Sequence, residues 1–115
     1  LDTIGDFGVG GDSIALSHAD FGLGTSGSLS TTPGGVQYLE VADILNGTPI
    51  DLGGGGDGST GDAIVAIGAN TGSGGVSLWY TTAQEAATTA NSVQFASLVG
   101  LNTDDLASTD ITLIA

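Results

Sequence analysis

Apolar and polar positions along this chain alternate in short runs, and glycine-rich intervals separate the runs. A period of two is the pattern of a β-strand with one face buried. At the start, Ile4 and Asp6 share one face while Thr3, Gly5 and Phe7 share the other. A little further on, Ile14 and Leu16 point the same way. Residues 8–11 between these runs include three glycines, which tolerate positive φ and so allow the chain to reverse. The pattern predicts two short strands joined by a glycine turn, with Asp6 and Asp12 flanking it.

Residues 18–21 are compatible with one helical turn, and residues 22–35 read as loop around Thr31-Thr32-Pro33-Gly34-Gly35. Residues 36–45 are ambiguous. Val36, Tyr38 and Glu40 alternate with Gln37, Leu39 and Val41 as in a strand, whereas Leu39, Asp43 and Ile44 suit a helical turn; strand into turn is favoured. Asn46-Gly47-Thr48-Pro49 breaks the run, and Ile50-Asp51-Leu52 is short and extended. After the glycine-rich residues 53–62, Ala63-Ile64-Val65-Ala66-Ile67 lacks polar alternation, which implies a strand covered on both faces. Residues 70–75 read as a hairpin-like connection to a strand at residues 76–80. Residues 81–90 are either loop or short helix. Residues 92–99 form a strand with Val93 and Phe95 on one face, Asn102 or Thr103 caps a single turn through Leu106, and residues 111–114 are the last strand. Six to eight short strands are expected in one domain spanning residues 1–115: an all-β sandwich or flattened β-roll with little helix.

Charge narrows the possibilities more than length does. The chain has 13 acidic residues, no Lys or Arg, one His and a net charge of −13. Acids without counter-charges repel one another in a compact state, so the fold is expected to respond to divalent cations, salt or low pH. Nucleic acid is not expected as a partner, because no cation is present to displace its counterions. Hydrophobic residues make up 40% of the chain, which separates it from disordered acidic tails. There is no Cys to form a disulfide. No apolar run approaches the roughly 20 residues of a membrane helix, and Leu1 in place of Met implies processing or a longer precursor.

The pattern Asp-x-Ile-x-Asp-Phe-x-x-Gly-x-Asp-x-Ile-x-Leu-Ser, filled by Asp2 to Ser17 and followed by Phe21, resembles the opening of the C-terminal module of RTX proteins. The segments Val76-Ser77-Leu78-Trp79-Tyr80, residues 93–100 and residues 106–111 are similar to the end of that module. RTX proteins are secreted calcium-binding proteins that include serralysin proteases, adhesins and bacterial surface-layer proteins. The resemblance implies an extracellular or cell-surface location and calcium near Asp2, Asp6 and Asp12. The ideal nonapeptide repeat of the family is not present; residues 55–64 contain its elements at a different spacing.

Catalysis finds little support, since a nucleophile needs an oriented base and His18 stands without Cys or Lys. The aromatic residues mostly read as core, so a carbohydrate cleft between two acids is not expected either. Calcium takes six to eight oxygen ligands on flexible loops, and Asp2, Asp6 and Asp12 lie around the Gly8 to Gly11 turn, with Asp57 and Asp62 in the glycine-rich run that follows. Asp104, Asp105 and Asp110 form a third group. Asp is also common in turns and caps that hold no ion. The absence of Lys leaves edge strands without a usual defence against strand addition, so self-association through residues 3–7 or residues 111–114 is expected. The expected function is therefore a non-enzymatic, calcium-stabilised extracellular subunit that assembles into a surface layer or fibre. The alternative is a monomeric folding and type I secretion module of a larger RTX protein, such as an adhesin or a serralysin-like protease.

Overall fold

The computed structural model describes residues 2–8, 11–17, 19–20, 27–28, 37–41, 62–69, 71–82 and 91–114. Within them the fold is all-β, and helix is limited to two single 3₁₀ turns, Thr103–Asp105 and Ser108–Asp110. The strands are β1 (Asp2–Ile4), β2 (Ile14–Ser17), β3 (Gly27–Ser28), β4 (Gln37–Val41), β5 (Ala63–Ile67), β6 (Val76–Thr81), β7 (Val93–Leu98) and β8 (Ile111–Ile114). They form a five-stranded sheet of order β1-β7-β6-β5-β4 and a three-stranded sheet of order β2-β8-β3.

The glycine turn does not make a hairpin. β1 pairs in parallel with β7, and β2 pairs in parallel with β8, so the segment between them carries the chain from one sheet to the other. Gly8 and Gly11 are not among the positive-φ glycines; reversal here rests on hydrogen bonds to the Gly8 carbonyl, accepted from Gly11 N at 3.0 Å and Asp12 N at 2.9 Å. Two residues of the expected 22–35 loop, Gly27 and Ser28, pair antiparallel with β8. The connecting segments at residues 42–61 and 83–90 lie outside the described residues.

Both sheets contribute to one core, in which Leu16, Ile111 and Leu113 meet Ile64, Ala66, Val76, Leu78, Ala96 and Leu98. Burying a side chain such as Ile64 or Leu98 contributes about 1.5–3 kcal/mol relative to leaving it exposed. Strand β5 is buried at every position, as its unbroken apolar run implies. Ile64 and Ala66 face the core between the sheets, and Ala63, Val65 and Ile67 are buried on the opposite face. In β7 a register shift opposite Leu78 and Trp79 makes Phe95 the additional residue, a β-bulge that re-aims its ring. That ring meets Tyr80 with centroids 6.4 Å apart and packs against the core.

The β5–β6 connection is clamped to the segment that follows β7. Gly75 N donates to Leu101 O at 2.9 Å, Thr103 N to Ala69 O at 2.9 Å, and Asn102 Nδ2 to Gly72 O at 2.8 Å. The approach is close enough to require glycine. A Cβ on Gly68 would lie 2.6 Å from Gly75 O, and Gly75, at φ 96°, would place one 3.1 Å from Leu98 O.

Among the described residues, β1 and β4 are the outer strands of the larger sheet. Val99 N donates to Ile4 O at 3.0 Å. Because a parallel strand turns the N–H and C=O of alternate residues toward the same neighbour, Thr3 directs its own backbone groups away from β7. The last strand is different. β8 lies between β2 and β3, so residues 111–114 form the centre of the smaller sheet and not an open edge.

Candidate functional site

The acidic groups singled out in the sequence fall in three places. At the first, Asp12 folds back so that its Oδ2 accepts from Gly8 N at 2.7 Å, which makes the carboxylate the closing bond of the turn. Asp2 and Asp6 are both exposed. No three His, Cys, Asp or Glu side chains among the described residues are arranged to hold a metal ion. Asp2, Asp6 and Asp12, at which the RTX resemblance implies calcium, are not brought together as such a group. At the second place, Asp57 lies outside the described residues, and Asp62 is partly buried immediately ahead of β5.

The third place is the run between β7 and β8, where the acids also serve the backbone. Asn102 caps the first 3₁₀ turn by accepting from Asp105 N at 3.1 Å, and Asp105 Oδ2 accepts in return from Asn102 N at 3.0 Å. This reciprocal arrangement satisfies donors that a helical end leaves open. One turn later Asp110 Oδ2 accepts from Ala107 N at 2.8 Å. Asp104 is exposed.

A fourth grouping was not singled out from the sequence. Tyr38 is buried in the core, 7% exposed, and its hydroxyl donates to Glu40 Oε2 at 3.0 Å. The pair is adjacent on one face of β4, and the two-residue spacing was its only signal in the sequence. Burial first, then the Glu40 charge and the hydrogen bond to it, then Asp110, hold the Tyr38 phenol far above its ordinary value. Glu40 is pushed above the usual carboxylate range, chiefly by lost hydration and further by the Asp104 charge, against an opposing pull from the Tyr38 hydrogen bond. Acids from two turns distant in sequence thus act on two residues of β4.

Elsewhere, the buried Trp79 Nε1 has no hydrogen-bond partner. It pairs across the sheet with Val65 and Gln94. His18 lies outside the described residues. Among the described residues no helix is long and apolar enough to cross a membrane. The sequence matches no family model, no curated protein matches it, and no solved structure matches the fold.

Proposed function

We propose that this chain is a non-enzymatic, extracellular structural module that associates with further copies by adding strands to the edge of its larger sheet. The observation that carries the reading is that β1 is an outer strand among the described residues, with Thr3 presenting its backbone N–H and C=O away from β7. Edge strands of this kind recruit other strands unless charge, Pro or a covering segment prevents it. Neither Lys nor Arg occurs in the chain, and its two prolines, Pro33 and Pro49, lie outside β1 and β4. Calcium enters as a counter-ion to the net charge of −13, screening copies that would otherwise repel. The RTX resemblance supports the cell-surface setting.

One observation favours the second reading, a monomeric folding and secretion module of a larger RTX protein. Strand β8 is enclosed between β2 and β3, as suits a module whose strand at residues 111–114 is paired within its own sheet. Sedimentation velocity separates the two. In millimolar calcium the assembling module is expected to sediment as a concentration-dependent series of oligomers or a polymer, and to return toward monomer in chelator at low salt. A single monomer boundary in calcium, NaCl and chelator at every concentration overturns assembly and leaves the monomeric module.

A further inference from the structure

Strand β8 fills a slot between two strands that have no other strand partner among the described residues. β2 runs parallel to it, with Ala15 opposite Thr112, and β3 runs antiparallel on the other side, with Ser28 opposite Thr112. Ile111 and Leu113 are buried and join Leu16 in the core that both sheets share. No residue of β2, β3 or β8 is charged. A strand entering the slot therefore brings no carboxylate to it, in a chain whose net charge is −13. The connection into β8 has an anchored part and a self-contained part. Leu101, Asn102 and Thr103 are bonded to the β5–β6 connection, and Leu106 is buried in the core. Residues 107–110 are bonded within their own turn: Asp110 N donates to Ala107 O at 3.0 Å, Ala107 N to Asp110 Oδ2 at 2.8 Å, and Ile111 N to Ser108 O. Opening this turn leaves the clamp on one side and the strand pairing on the other intact.

We infer that β8 is an exchangeable strand: with the 107–110 turn opened as a hinge, residues 111–114 of one copy occupy the β2–β3 slot of a second copy, which returns its own. Every copy carries the same strand, so each slot keeps the same register and the same buried Ile111 and Leu113, and only the hinge changes. Exchange of an identical element is a low-cost route to association for that reason. The chain's own β8 competes through the effective concentration that its tether gives it. Folding at high protein concentration therefore favours exchange, and folding at high dilution favours the closed single chain. The inference is independent of strand addition at β1.

The chain contains no Cys, so single cysteines report the joint. Ala15 is exposed and Thr112 half-buried, and as direct neighbours across the β2–β8 pair they lie within the span of a disulfide. Full-length Ala15→Cys and Thr112→Cys, each checked for a cooperative melt, are unfolded together, refolded at high protein concentration, oxidised and separated on a denaturing gel. Linked heterodimers are expected at several times the level of the homodimers that Ala15→Cys alone forms by random collision. They are expected to fall to that background when the same mixture refolds at high dilution. Assembly through β1 does not set Ala15 of one copy beside Thr112 of another, so it does not imitate this result. Ser28→Cys with Thr112→Cys repeats the test across the β3–β8 pair, should Ala15→Cys fail to fold. Heterodimers no more abundant than the collision background after concentrated refolding overturn the exchange, whether or not the protein forms oligomers by another route.

Discussion

Asp12 illustrates how one carboxylate answers differently to a turn and to an ion. Its Oδ2 accepts from Gly8 N at 2.7 Å, and an Asn in its place still offers an oxygen to that donor while removing one of 13 acidic charges. Asp12→Asn is therefore expected to melt at or slightly above the parent. Asp12→Ala loses the bond and is expected to cost about 1 kcal/mol, a drop of several degrees. Both effects should be the same in chelator and in millimolar calcium. A calcium ligand would give a different order, with Asn below the parent and the gap widening as calcium is added. Thermal melts of the two variants in both buffers separate these outcomes. Asp105 and Asp110 are engaged in the same manner, each accepting from the backbone at the start of a 3₁₀ turn.

At the scale of elements, β1 and β8 have opposite exposure although each lies near an end of the chain. In β8, Thr112 sits opposite Ala15 on one side and Ser28 on the other. A Pro at Thr112 would interrupt the middle of the smaller sheet, so Thr112→Pro is expected to lose cooperative folding. In β1 the Thr3 N–H points outward, and Thr3→Pro removes a donor that serves no bond to β7. It is expected to retain a cooperative melt close to that of the parent while reducing assembly. Paired melting and sedimentation measurements decide the matter. A Thr3→Pro protein that still forms oligomers of the parent's size would remove β1 as the joint.

For the whole molecule, the balance of charge sets the expected response to cations. The chain carries −13 with no Lys or Arg, and no three metal-ligating side chains converge there. Counter-ions that only screen the surface act through valence and concentration. Millimolar calcium and millimolar magnesium are therefore expected to raise the melting temperature by similar amounts, and each by more than the same concentration of NaCl. A folded site of flexible oxygen ligands would favour calcium over magnesium, which demands a stricter octahedron. A calcium-selective rise in melting temperature would thus contradict the counter-ion account and direct attention to Asp57 and the other acids outside the described residues.

The amino-acid pattern by itself determined the β class and the nature of several elements. The apolar run from Ala63 to Ile67 announces a strand buried on both faces, and Asn102-Thr103 announces a capped turn, in which the structure makes Asn102 the cap. These features are local, since side-chain period and capping geometry act within a few residues. Only the tertiary structure decided that β1 joins β7, that β2 joins β8, and that β8 lies at a centre and not an edge. A two-residue period tells which side of a strand is apolar, but any strand with a matching face can be its neighbour. The convergence of Glu40 with Asp104, and of Tyr38 with Asp110, is of the same kind. Their partnership arises from how β4 and the turns before β8 pack around one core, and no local spacing in the chain encodes it.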